Sequence, residues 1–273
     1  MEIQDFYDKN TSTFSYVVFD EKTKIAAIID SVLDYDHSLE KISYNAVDEI
    51  IKYIESKKLN VEWILETHIH ADHLTALNYL KEKFPQAKTA IGEKIIDVQK
   101  YWVEFFNIAH EVEADGSQFD KLFKAGEKFK IGTLDCEAIY TPGHTPSCYC
   151  YKIEDAIFVG DVIFMPDIGT ARTDFPGGSA RESFFSLQKI LSYPDETRLY
   201  TAHDYPPENR ELCCVTTIAE QKARNILINR RVNEEEFVAN REARDKGKSA
   251  PKLLLPSLRF NISAGKIDKK KGV

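Results

Sequence analysis

Val61-Glu62-Trp63-Ile64-Leu65-Glu66-Thr67-His68-Ile69-His70-Ala71-Asp72-His73 is the stretch from which the rest of the chain can be read. Its first half, a β-branched and aromatic run ending at Thr67, predicts a buried strand. The apolar residues from Leu74 to Phe84 have helical spacing. The histidine-rich piece is therefore a turn between a strand and a helix, where side chains can converge on a point. His68, His70, Asp72 and His73 place three imidazoles and a carboxylate within six residues. Such donors suit zinc, iron or manganese, and the absence of a thiolate argues against a structural zinc knot.

Three later segments repeat the plan of a strand that ends in a polar residue. Tyr140-Thr141-Pro142-Gly143-His144-Thr145-Pro146 follows the strand-like Leu134 to Ile139, and its proline and glycine expose His144 in a turn. Phe158-Val159-Gly160-Asp161 ends an apolar run in a carboxylate, and Leu199-Tyr200-Thr201-Ala202-His203-Asp204-Tyr205 ends one in a histidine. Strand ends are where ligands gather in α/β proteins.

His68-x-His70-x-Asp72-His73 followed by His144, Asp161 and His203 resembles the ligand order of the metallo-β-lactamase superfamily. The resemblance runs from about Phe14 to Asp204. It implies an α/β (α+β) chain folded as an αβ/βα four-layer sandwich of two mixed β-sheets, with the metal site at one edge.

Composition is consistent with a single domain over residues 1–273. The net charge of −8 argues against nucleic acid as a partner, which needs a basic face. No stretch approaches the ~18 apolar residues of a membrane span. The acidic start Met1-Glu2-Ile3-Gln4-Asp5 does not read as a signal peptide. Five cysteines, an odd number, do not suggest a disulfide framework, so all five are expected reduced and the setting cytoplasmic. A hairpin is expected over residues 14–20 and 25–30. A helix capped by Asn45 should bury Val47, Ile50, Ile51 and Ile54. Two strand–helix units should follow, then strands near 128–141 and 147–164, a helix over about 180–191, and more helices between 215 and 245. Lys248 to Leu258, with two prolines, reads as a closing loop packed on the domain. The basic tail 266–273 reads as a solvated, partly disordered end.

The ligand set permits two arrangements. In the hydrolase pattern that the resemblance implies, His68, His70 and His144 hold one metal and Asp72, His73 and His203 a second. Asp161 bridges them, and a shared hydroxide attacks a carbonyl or phosphoryl group. In the other, one iron is held by His68, His144 and Asp161 alone, a facial triad open to dioxygen and substrate. His70, Asp72, His73 and His203 then orient the ligands and bound water.

Gly169-Thr170-Ala171-Arg172-Thr173-Asp174-Phe175-Pro176-Gly177-Gly178, together with His203-Asp204-Tyr205, resembles the persulfide dioxygenases of this superfamily. That resemblance implies one iron(II) per chain and oxidation of glutathione persulfide, or a related persulfide, with dioxygen to sulfite and thiol. It also implies a role in sulfide detoxification and a homodimer. Thr170-Ala171 departs from the Cys-Gly pair of better-known members, and residues 35–45 form an insertion. Glyoxalase II, a thioester hydrolase with two zinc ions or a Zn/Fe/Mn mixture, is the alternative. It usually carries two glycines and an asparagine where Leu74-Thr75-Ala76-Leu77-Asn78 stands here. Arg172 could meet a substrate carboxylate or pair with Asp174 to hold its turn. Tyr205 could offer its hydroxyl to a thiol carrier or only pack. Asp204 is expected to be a structural acceptor.

Overall fold

A computed structural model describes residues 1–266, so all but the first residue of the basic tail lies outside the described residues. The chain divides into two compact units. Among the described residues, one comprises 1–123, 130–134 and 250–266, and the other comprises 124–129 and 135–249.

In chain order the first unit holds β1 (Glu2–Asp8), β2 (Thr13–Phe19), β3 (Ile25–Ile29), β4 (Val32–Asp36), β5 (Lys41–Ser43), α1 (Asn45–Lys57), β6 (Asn60–Leu65), β7 (Leu74–Thr75), α2 (Leu77–Lys83), β8 (Lys88–Gly92), α3 (Ile95–Phe106) and β9 (Lys121–Phe123). Its main sheet has the order β1-β2-β3-β6-β8-β9. The first three strands are antiparallel, and β3, β6, β8 and β9 run parallel. Parallel strands are covered on both faces and need near-continuous apolar sequence. Ala26-Ala27-Ile28-Ile29 and Ile64-Leu65 supply it and are fully buried.

β1 was not expected from the sequence. Its mixed polar and apolar residues suit the edge position it occupies beside β2 among the described residues. Two other expectations need correction. Leu74-Thr75 is extended, not helical, because it pairs with Val32 and Leu33 of β4. α1 does bury Val47, Ile50, Ile51 and Ile54, but Asn45 is already helical and does not cap it. The Asp34 carboxylate reaches from β4 to accept the Ala46 N–H instead, at 2.9 Å.

The second sheet has the order β10-β11-β12-β13-β14-β15. Its strands are β10 (Glu127–Ile131), β11 (Leu134–Tyr140), β12 (Tyr149–Ile153), β13 (Ala156–Gly160), β14 (Arg198–Thr201) and β15 (Val215–Thr217), with helices α4 (Ala180–Leu191), α5 (Ile218–Arg224) and α6 (Glu234–Asp245). β11, β12 and β13 alternate in direction and β14 is parallel to β13, so β11, β13 and β14 all finish at one end of the sheet. The helices are punctuated by side-chain caps from Ser179, Thr217 and Asn233, each accepting an N–H of the first turn. Ile139, Ile157, Leu187, Leu199, Ile218 and Phe237 are among the buried side chains of this unit's core.

The chain then re-enters the first unit as α7 (Leu254–Asn261), where the sequence suggested a closing loop. Pro256 falls in the first turn of α7, where an N–H would have no helical partner, so it costs the helix no hydrogen bond. Among the described residues no helix is long and apolar enough to cross a membrane. None of the five cysteines is joined in a disulfide.

Phe237 is fully buried in α6, whereas Phe185 of α4 is 55% exposed. Phe237→Ala is expected to destabilise the protein by roughly 3–5 kcal/mol in urea titration. Phe185→Ala should stay within about 0.5 kcal/mol of the parent. Equal losses from the two would contradict the assigned core.

Candidate metal centre

In the first unit the turn after β6 is organised by a carboxylate at the end of the neighbouring parallel strand. Asp30, just past β3, accepts the Thr67 N–H at 2.7 Å and the Thr67 hydroxyl at 2.8 Å. With its proton given to Asp30, the Thr67 oxygen can only accept from His68 Nδ1, 3.1 Å away. That contact puts the proton on Nδ1 and leaves the Nε2 lone pair for a ligand.

His70 has the opposite polarity. Its Nε2 lies 3.2 Å from Asp30 Oδ1 and 3.1 Å from Glu66 Oε2. Carboxylates only accept, so Nε2 carries the proton. Nδ1, buried and without a hydrogen-bond partner, presents its lone pair beside Asp72 and His73. Burial acts to lower the pKa of His70, but the carboxylates of Asp30 and Glu66 raise it well above the ordinary value, so a metal at Nδ1 would take the place of a second ring proton. Burial likewise raises the pKa of Glu66, and the neighbouring His70 opposes it. Ligand atoms of His70, Asp72 and His73 lie within 4.8 Å of one another. The rings of His68 and His73 sit 4.1 and 4.2 Å from that of His70. All three are essentially buried, while the Asp72 side chain is partly exposed. Buried imidazoles with directed lone pairs, backed by carboxylates, match the donor chemistry of a divalent transition metal.

In the second unit His144, Asp161 and His203 follow β11, β13 and β14, and so gather at the sheet end these three strands share. Two glycines make this possible. Gly143 has φ +141°, and a Cβ there would come within 2.4 Å of the Ser183 backbone in α4. Gly160 has φ +50° at a register shift in the β13–β14 ladder, which turns the chain just before Asp161. The Arg172 carbonyl lies 2.7 Å from His144 Nδ1 and can only accept, so Nδ1 is protonated and Nε2 is the donor atom left over. His144 Nε2 lies 3.5 Å from Asp161 Oδ2, and His203 Nε2 lies 3.4 Å from Oδ1. Each oxygen of Asp161 thus faces a different imidazole.

The residues singled out around these ligands fall into clear positions. Arg172 spends its guanidinium on Asp174, at 2.6 and 2.8 Å, and on the Ser249 carbonyl at 2.8 Å. Phe175, beneath that guanidinium, meets the His144 ring edge-on. Tyr205 is 48% exposed and stacks on the His203 ring at 5.7 Å. Asp204 is fully buried and holds Arg210 with both oxygens, at 2.6 and 2.8 Å.

Several positioning groups escaped the sequence reading. Asp30 had a usable signal, because an apolar strand ending in a carboxylate is the same pattern that pointed to Asp161. Arg241 and Asp245 had none. These buried α6 residues form an ion pair at 2.5 Å. Arg241 also donates to the Thr170 carbonyl at 2.8 Å, and Asp245 accepts the Thr173 N–H at 2.8 Å. They hold the segment whose Arg172 carbonyl orients His144.

A family model described as the metallo-beta-lactamase superfamily matches residues 9–203. The chain is 48% identical to "Glyoxylase B2" of Dictyostelium discoideum over 98% of this chain and 92% of that protein. It is 47% identical to a "Beta-lactamase hydrolase-like protein" of Xylella fastidiosa, covering 97% of this chain but only 61% of that protein's length. "Persulfide dioxygenase ETHE1, mitochondrial" of Homo sapiens is 26% identical, over 82% of this chain and 74% of its own. Among solved structures, ETHE1 from Myxococcus xanthus superposes with a TM-score of 0.77 at 28% identity, covering 97% of this chain and all of that one. The metallo-β-lactamase fold with its mixed sheets, the strand-end histidines and the match over residues 9–203 agree, and the chain belongs to the metallo-β-lactamase superfamily.

Proposed function

We propose that this protein is a non-haem iron(II) persulfide dioxygenase that oxidises glutathione persulfide, or a related low-molecular-weight persulfide, to sulfite and thiol. The observation that carries this reading is the likeness to ETHE1 from Myxococcus xanthus, which covers nearly the whole of both chains. The Gly169–Gly178 segment with His203-Asp204-Tyr205 supports it independently.

His68, His144 and Asp161 would hold the iron, a two-histidine, one-carboxylate set. Bound there, iron supplies the coordination positions for dioxygen and persulfide and the means of passing electrons between them. The reaction balances as RSSH + O2 + H2O → RSH + HSO3− + H+. The terminal sulfur gives up four electrons to dioxygen, and the S–S bond breaks with the thiol as leaving group.

The chain's own residues contribute orientation and exclusion of water. The Arg172 carbonyl keeps the His144 proton on Nδ1. Phe175 and Phe164 lie edge-on against His144 and His203 and shield those rings from solvent. His70, Asp72, His73 and His203 orient the ligands and water. Arg172 acts through its carbonyl, its guanidinium being held by Asp174, and the partly exposed Tyr205 offers its hydroxyl to the thiol carrier.

A second reading, thioester hydrolysis by two zinc ions or a Zn/Fe/Mn mixture, is favoured by Asp161 lying between two different imidazoles, His144 and His203, where its carboxylate could be shared. The name of the Dictyostelium relative points the same way.

Iron(II)-reconstituted protein given glutathione persulfide should consume dioxygen and release matching sulfite. His144→Ala should lose both the iron and the activity. Absence of uptake, with thiol release from S-lactoylglutathione by a form carrying two zinc ions, would establish the hydrolase instead.

Tyr205→Phe should raise KM for the persulfide severalfold with kcat little changed, the pattern of lost uniform binding. Arg172→Lys should leave KM unchanged and lower stability by roughly 1–2 kcal/mol, since lysine cannot reproduce the fork to Asp174. An unchanged KM in Tyr205→Phe, or a raised one in Arg172→Lys, would reverse these two roles.

A further inference from the structure

The turn from Glu66 to His73 belongs to neither helix nor strand, so its buried carbonyls receive no ladder hydrogen bonds. Buried backbone groups must nevertheless be paired. The donors come from the far end of the chain. Asn261, the last residue of α7 and 1% exposed, gives its two amide N–H groups to the carbonyls of His70 and His73, each at 2.8 Å. These bonds span 191 and 188 residues of sequence. Its Oδ1 accepts the Thr75 N–H at 2.9 Å, two residues beyond the turn.

We propose that Asn261 is a positioning residue for metal binding: by clamping the His70 and His73 carbonyls it sets where the two imidazoles point. This rests on the reading of the His68–His73 turn as metal-binding, and it adds a residue outside the ligand motif.

The chemistry of the side chain supports the assignment. An amide uses two donors and an acceptor here, matching two carbonyls and one N–H. Aspartate has the same shape but no donor, and would set a carboxylate against two carbonyl oxygens. Glutamine carries one more methylene into a fully packed position. The clamp also complements the other restraints on His70, whose Nε2 is fixed by Asp30 and Glu66. Side-chain nitrogen and backbone carbonyl are then both tied, and only Nδ1 is left to a ligand.

A purely structural role would be to anchor α7, and that role has a second holder. Gln99 of α3 donates to the Ile262 carbonyl at 2.8 Å and makes no hydrogen bond to the ligand turn. Gln99→Leu therefore serves as the control: it loosens the α7 end, and the bonds of Gln99 to Gly116 and Gln118, without removing a hydrogen bond from the ligand turn.

The test uses the full-length chain with cobalt(II) as the probe, read by visible absorption and by chelator competition. Asn261→Asp and Asn261→Ala should weaken cobalt binding roughly 10–100-fold, the range for groups that orient metal ligands, and shift its absorption bands. Gln99→Leu should lower the melting temperature but keep the parent's affinity and bands. Parent-like affinity and bands in both Asn261 variants would overturn the proposal, as would an equal loss in Gln99→Leu. If Asn261→Asp does not fold, Asn261→Ser decides the point: reduced affinity in the folded protein supports the clamp, and parent affinity overturns it. Failure of the underlying reading looks different, because His70→Ala would then bind cobalt as the parent does, and the clamp would fall with it.

Discussion

An imidazole has two nitrogens, and a metal can use only one that carries no proton. The restraints on His68, His70 and His144 all follow from that constraint. His68 Nδ1 leans on Thr67, His70 Nε2 on Asp30 and Glu66, and His144 Nδ1 on the Arg172 carbonyl. In each case one nitrogen is committed to a protein acceptor and the other is left with a lone pair. Asp30 is central to two of the three, since it takes the Thr67 proton that would otherwise compete with His68. It can do so because β3 and β6 are parallel neighbours, so that the residues following both strands emerge side by side.

The second unit meets the same need with different parts. A carbonyl replaces the carboxylate as the acceptor behind His144, and a carbonyl in a loop is only as well placed as the loop. The buried pair Arg241–Asp245 supplies that placement, tying Thr170 and Thr173 on either side of Arg172. Burying two charges is a poor source of net stability, because desolvation offsets much of their attraction. Its value here is geometric: with both ends of the pair also bonded to the loop backbone, the arrangement has few alternatives of similar energy.

The two chemistries open to this superfamily member differ in how many metals the ligands hold, not in which residues are present. Under either proposed reading the same seven side chains would serve, around a bridging carboxylate or a single facial triad. Discrimination therefore lies in the surroundings: the 169–178 segment, the aromatic edges against His144 and His203, and the tyrosine stacked on His203. A fold-level likeness alone would not separate them.

Much of this was legible in the chain itself. Apolar runs ending in histidine or aspartate marked the strand ends, and the i, i+3, i+4 stripe of Val47, Ile50, Ile51 and Ile54 marked α1, because local periodicity reports which face of an element is buried. The α4 boundaries were readable for the same reason. Other features became visible only in three dimensions: the pairing of Leu74-Thr75 with β4, the cap that Asp34 supplies in place of Asn45, α7 with its early proline, the Asp30 and Arg241–Asp245 braces, and the reach of Asn261 across the chain. Apart from the helical state of α7, each depends on a hydrogen bond between residues well separated in sequence, and such a bond leaves no periodic trace in either segment. Sequence by itself determined which side chains offer metal-binding donors; tertiary structure decided which nitrogen of His68, His70 and His144 remains for that purpose, because only folding brings the acceptors that take the other proton.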